Sequence, residues 1–275
     1  VMENSTVTIL DSIGGGIIEK TKTTKNTNQV IVNSGNLLIQ NGTYKINVEN
    51  SSFEIIENIA GTLTIDGGNF VATSKSNGGY GIKVEDGTKL VVNNATIDVQ
   101  NQDGLLCAIQ SYPPIKNKSM NINIKNTKIK AKSKTGCVKG IRIKRGEKCT
   151  IENCNVYVYT GDYPINMDNA ATALELNYLK NVTVNGGKFI AVNDEIGSNL
   201  SSLGLYEGGN ENITISDAHF YGNTSTIYSS ITLNNCVFSG IHSGLQINSK
   251  TSVVNINGGV YESPWHGGIY VSNKA

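Results

Sequence analysis

Little in this chain advertises chemistry. Tryptophan occurs once (Trp265), histidine three times (His219, His242, His266) and proline four times in 275 residues. None of the histidines stands at a recognisable spacing from a nucleophile, so each reads first as a solvated surface residue. Charge is balanced, 23 Lys+Arg against 22 Asp+Glu, and a net charge of +1 argues for neither a nucleic-acid nor an acidic partner. Only 16% of residues are charged, which leaves Asn, Ser, Thr and Gly to make much of the surface. There is no run of 18 apolar residues, no signal peptide and no lipidation motif, so the chain as given is expected to be soluble without membrane insertion. The five cysteines, Cys107, Cys137, Cys149, Cys154 and Cys236, form no CxxC pair and no metal-type spacing. They read as buried thiols rather than a disulfide framework.

What the chain does have is a repeat. An octet of the pattern apolar, any, apolar, polar, Asn/Gly/Asp, small, any, apolar begins at Leu37, Leu63, Leu90, Ile122, Cys149, Val182, Ile213, Ile231 and Val254. Residues 63–70, Leu-Thr-Ile-Asp-Gly-Gly-Asn-Phe, are typical. Both ends of the octet alternate with the period of a strand that buries one face, so two strands should flank a tight corner. The fifth residue is always Asn, Gly or Asp (Asn41, Gly67, Asn94 and their successors), the types that tolerate a left-handed backbone. The sixth is always small and the eighth always apolar, from Tyr44 and Phe70 to Phe238 and Tyr261.

A third strand precedes most octets, with the signature Gly/Ala, apolar, any, apolar: Gly81–Val84, Gly140–Ile143, Ala173–Leu176, Gly244–Ile247 and Gly268–Val271. In three copies the connection from this strand to the octet has one length. Variable loops are therefore expected after the octet, at 101–107, 133–139, 160–172 and 193–202. Three strands per coil and about ten coils make one solenoid domain, in which each coil contacts only its neighbours. Residues 1–29 are expected to cap the stack and make its first turn, and 30–275 to form the coils. The last strand, Gly268–Val271, has no octet after it, as expected of a rod that continues beyond residue 275.

Three short parallel strands per coil, a two-residue corner bearing Asn or Gly, and long loops at one corner resemble the right-handed parallel β-helix of the pectate-lyase-like superfamily. The wording of repeats such as 61–70 (GTLTIDGGNF) and 182–189 (VTVNGGKF) is also similar to surface and secreted repeat proteins of low-GC bacteria and to β-helical phage tail proteins. The resemblance implies an extracellular or cell-surface location. It specifies architecture far more than activity.

Catalysis is not spelled out. A pectate lyase would show Ca²⁺-binding acids with a basic residue on the third strand, whereas the outward positions there read Lys83 and Glu85, Arg142 and Lys144, Glu175 and Asn177. Arg142 is expected to pair with Glu175 one coil away. Arg142-Ile143-Lys144 matches one motif of the polygalacturonases, but their Asp-Asp pair and Gly-His-Gly are missing, so the two acids of a glycosidase are absent. Asp162, Asp168, Asp194 and Glu195 fall in consecutive long loops, a pattern that permits Ca²⁺ without defining a site. No cofactor is assigned.

The strongest charge asymmetry lies in 116–148. Period two sets Lys128, Lys130 and Lys132 outward on one strand, and Tyr157 and Tyr159 outward on the matching strand of the next coil, with Tyr163 in the loop beyond. With Arg142 and Lys144 these residues form a candidate carbohydrate-binding face, flat aromatic rings taking sugar C–H surface beside cations that attract a polyanion. Trp265, in 263–268, offers a sugar platform or a plug for the end of the rod. The reading is a non-catalytic, adhesin-like β-helix presenting this face to a polysaccharide or surface glycan. Two alternatives stay open: a polysaccharide lyase or glycoside hydrolase acting on polyuronate, and a structural or receptor-binding module of a phage tail or surface fibre. The expected assembly is a monomer or a trimer.

Overall fold

The computed structural model describes residues 1–21, 26–75, 77–85, 87–111, 120–161, 171–193, 200–206, 209–249 and 251–272. Among these residues there is no helix, and the strands pair in parallel. The pairing follows the repeat residue for residue. In the octet's first strand Leu37 stands opposite Leu63, Leu63 opposite Leu90 and Leu90 opposite Ile122. The second strand aligns Tyr44, Phe70, Ile97 and Ile129. The strand before the octet aligns Ile82, Ile109, Ile141 and Leu174. Of the 27 strands among the described residues, three (Ala171–Asn185, Ile231–Gly240 and Val254–Glu262) serve two ladders each, so three ladders run through ten coils. The chain is an all-β parallel β-helix.

The corner explains the octet. All nine fifth-position residues have positive φ, from 48° at Asn126 to 88° at Gly67. Other L-residues would each lose about 1–2 kcal/mol there. The corner amides also join coils: Asn94 Nδ2 donates to Asp66 Oδ1 at 3.1 Å and Asn235 Nδ2 to Asp217 Oδ1 at 2.9 Å. Sixth-position Ala95, Thr127, Cys154, Ala218 and Cys236 are buried beside the bend. The eighth position stacks like on like. Tyr44 and Phe70 lie 4.9 Å apart at 9°, and Phe189, Phe220, Phe238 and Tyr261 follow one another at 5.0, 4.8 and 5.4 Å. Their spacing is close to the rise of one coil, about 4.8 Å, so ring stacking and strand pairing demand the same advance.

The structure departs from the sequence reading in the connection into the octet, and at the N-terminus it describes the first coil in detail. Residues 6–20 are built as a further coil on the same frame, Thr6–Leu10 pairing with Asn36–Gln40 and Ile17–Lys20 with Thr43–Val48. Their corner is widened to residues 11–16, where the Asp11 carboxylate accepts the amides of Gly14 and Gly16, both at 2.9 Å. The long step from Leu90 to Ile122 arises between Ser111 and Asn121, so the connection into the octet is not of constant length. Residues 112–119 of that connection lie outside the described set.

In the inner coils the strands of the first two ladders alternate buried and more exposed residues, as in Lys89–Asn93 and Lys128–Ser133, whereas in the third the strands Leu106–Ser111 and Leu200–Leu205 are buried at all six positions. In these two strands the outer side is shielded as well as the inner side.

Two tests follow from the frame. A Cβ on Gly187, whose φ is +94°, would stand 2.3 Å from the Cys154 carbonyl oxygen. Gly187→Ala should lower the unfolding free energy by more than about 2 kcal/mol, and Asn126→Gly should change it by under about 1 kcal/mol. Equal costs in urea titrations would contradict the corner argument. Burial raises the thiols of Cys107, Cys149, Cys154 and Cys236, Cys149 to about 12 and Cys154 to about 11. At pH 8 a thiol reagent should reach at most the half-buried Cys137 in the folded protein and all five cysteines after unfolding.

Candidate functional site

The eight candidate residues divide between two faces. Lys128, Lys130, Lys132, Tyr157 and Tyr159 project from the second ladder, Arg142 and Lys144 from the third. Tyr163 lies outside the described residues, as do Asp162, Asp168, Asp194 and Glu195. Among the described residues no group of three or more His, Cys, Asp or Glu side chains is placed to hold a metal ion.

On the second ladder the register sets Asp98, Lys130 and Tyr157 in one outward column and Gln100, Lys132 and Tyr159 in the next. The inward neighbours Ile129, Ala131, Val156 and Val158 are buried, which fixes the strands that carry these side chains. Lys128 is exposed, while Lys130 and Lys132 are half-exposed. The stripe is not a row of bare charges. Lys130 Nζ reaches Asp98 Oδ2 at 3.3 Å. Lys132 Nζ stands over both tyrosines, 5.8 Å from the Tyr157 ring centre and 5.6 Å from that of Tyr159, within cation–π range. Where this ladder turns toward the third, Gln100, Asn101, Lys132, Ser133, Lys134, Tyr159 and Gly161 line a groove of about 330 Å³. Lys134 is an exposed member that the alternation of the strand did not single out, because it lies one residue past the strand's end.

The third ladder holds a different arrangement. Arg142 Nε donates to Glu175 Oε1 at 3.0 Å, the pair expected from the sequence. Asn177 Nδ2 donates to the same oxygen at 3.0 Å, and Lys139 Nζ lies 3.5 Å from the other. Lys139 also donates to Thr172 Oγ1 at 2.8 Å, and the backbone amide of Tyr206 donates to Asn177 Oδ1 at 3.1 Å. Lys139, Glu175 and Asn177 are buried, and Cys107 beside them is fully so. Burial raises the Cys107 thiol and the Tyr206 phenol. Burial works against the charge on Arg142, but Glu175 outweighs it and holds the guanidinium above its usual range.

Two coils toward the N-terminus, Lys83 Nζ is shared by Glu57 at 2.8 Å, Glu54 at 3.1 Å and Glu85 at 3.5 Å. Gln29 Nε2 donates to both Glu54 and Glu57. Burial disfavours the charge on Lys83 but its carboxylate partners prevail and raise it, while burial raises Glu54. Lys139, Thr172 and Cys107 were missed as outward-facing residues. They lie two residues before the Ile109, Ile141 and Leu174 column, where strict alternation would turn them inward; the register skips the small residue between, Ala108, Gly140 or Ala173, and breaks the alternation there.

Among the described residues of this face, the carboxylates Glu54, Glu57, Glu85 and Glu175 are each paired with a cation, an arrangement that holds charge in place rather than presenting an acid and a base to a sugar bond. The open, partly aromatic surface is on the second ladder. Compared with family models, with curated proteins and with solved structures, the chain matches none.

Removing one partner from a buried ion cluster strands the others. Glu175→Ala should lower the unfolding free energy by about 3–5 kcal/mol. Lys130→Gln, which breaks a surface pair, should cost at most about 1 kcal/mol. A small effect of Glu175→Ala in urea unfolding would show that the cluster is not structural.

Proposed function

We propose that this β-helix binds an acidic polysaccharide on the outer face of its second ladder and acts by adhesion rather than by cleavage. The observation that carries the reading is Lys132 poised over the rings of Tyr157 and Tyr159 at the edge of the groove that includes Lys134. A sugar laid on Tyr159 buries its C–H face against the ring, and its carboxylate meets the two ammonium groups. The half-exposed Gln100 supplies an amide for hydroxyls. The resemblance of the repeats to pectate-lyase-like β-helices and to secreted repeat proteins of low-GC bacteria supports a location outside the cell, where such polymers occur. The burial of Lys139 and Glu175, and the pairing of both Lys139 and Arg142 with Glu175, favour adhesion over a lyase or hydrolase.

The test is titration calorimetry with polyuronates at low ionic strength. Binding should weaken as salt rises. Tyr159→Ala and Lys132→Gln should each reduce affinity about tenfold, equivalent to about 1.4 kcal/mol. Binding that is absent at low salt, or unchanged in both variants, would overturn the reading. Unsaturated products or new reducing ends would assign cleavage in its place.

A further inference from the structure

We propose that the groove beside Tyr159 is one end of a track that runs along the rod to Trp265 and holds a single polysaccharide chain parallel to the solenoid axis. The proposal rests on the carbohydrate-binding reading and adds a polymer class: 1,4-linked diequatorial pyranose chains, in which alternate rings turn the same face to the protein.

The register draws the line. Tyr157 stands opposite Ile190, Ile190 opposite Tyr221, Tyr221 opposite Ser239, and Ser239 opposite Glu262. One outward column therefore crosses the sixth to the tenth coil. Tyr157 of the sixth coil, with Tyr159 beside it, and Tyr221 of the eighth stand on this line; in the tenth coil the column itself holds Glu262, and Trp265 lies three residues further on, past the strand's end. Tyr221 is 41% exposed and Trp265 60%, so both offer ring surface to a ligand. Each coil advances about 4.8 Å, close to the length of one pyranose unit. Two coils thus match two sugars, the interval after which a diequatorial 1,4-linked chain presents the same face again.

The far end is a fixed platform. The Trp265 ring packs edge-on against His242, with centres 4.8 Å apart at 77°, and His266 stacks on His242 at 5.8 Å and 18°. Backbone bonds hold the corner beneath them. His266 N donates to the His242 carbonyl at 3.1 Å, and Ser263 Oγ donates to the carbonyls of Ile241 and His242 at 3.0 and 2.7 Å. An indole held in one orientation loses less entropy when a sugar covers it. Trp265 does not plug the rod. The inward residues of its own coil stay open, Ile269 at 41% and Val271 at 60% exposure.

Trp265 is the only tryptophan, so its fluorescence reports the far end alone. The probes are β-1,4-linked mannuronate oligomers of two to eight units and the matching neutral glucose series. The track predicts that affinity rises with length, and that tryptophan emission changes only for oligomers longer than about five units, the span from the sixth coil to the tenth. Trp265→Ala should weaken the octamer at least fivefold and leave the dimer unchanged. Silent emission, with Trp265→Ala binding the octamer normally while Tyr159→Ala does not, would overturn the track and leave the groove reading standing. Emission that responds equally to dimers, or persists in Tyr159→Ala, would make Trp265 a separate site and also overturn the track. No binding of either series would remove the groove reading and the track with it. Circular dichroism of both variants verifies that they fold.

Discussion

Everything in this molecule depends on one constraint: every coil must advance by the same small step, so that each residue type stands over its own kind. The constraint is set at the octet corner. A residue in the left-handed region turns the chain between two strands in two residues, and Asn153, Gly186, Asp217 and Asn235 hold that position in successive coils. Once the turn is fixed, Val156 falls over Phe189, Phe189 over Phe220 and Phe220 over Phe238. Core packing, ring stacking and the corner amide ladder then share one geometry, and none of them needs a distant contact.

That constraint decides what the sequence discloses. Any position that must stack on its own kind is visible as a repeat, and the three ladders, the corner and the inward Leu, Ile and Phe residues were all legible from spacing. Positions outside the constraint were not. The widened corner at 11–16 kept the first turn outside the octet pattern, because six residues there replace two while the flanking strands keep their register. The insertion at 112–119 stretched a connection that three other coils keep constant. The second ladder's Lys132 and Tyr159 were legible because period two alone places them on one side. Lys134 was not, since it sits where the strand has ended. The burial of outward residues in the third ladder, complete in Leu106–Ser111 and Leu200–Leu205, was the largest omission. Alternation predicts which side of a strand a residue occupies and says nothing about whether that side meets water.

The two outer faces differ in physical character. On the third ladder, Lys139 and Arg142 converge on Glu175, and Lys83 is shared among three carboxylates. Charges taken from water are tolerable only when paired and hydrogen-bonded, and such pairs fix geometry more than they add stability. They also fix register. A one-residue slip of Val138–Gly146 would carry Lys139 and Arg142 into the core and Ile141 outward, so the cluster penalises misaligned coils on the ladder whose connections vary most in length.

The second ladder carries less constraint, and that is where variation along the rod acquires meaning. Its inward residues are held to one apolar column, but its outward column passes from Asp98 and Lys130 through Tyr157 and Ile190 to Tyr221 and Glu262. A structure with a uniform step converts such a list into a ruled line, with one chemical group about every 4.8 Å. A globular pocket recognises a ligand by enclosing it. A ruled line recognises a ligand that is itself periodic, because each match recurs without new design and weak contacts accumulate through the shared spacing. Polymers of small rigid units are such ligands. The coil that makes the fold possible is therefore also the measure by which its surface would read them.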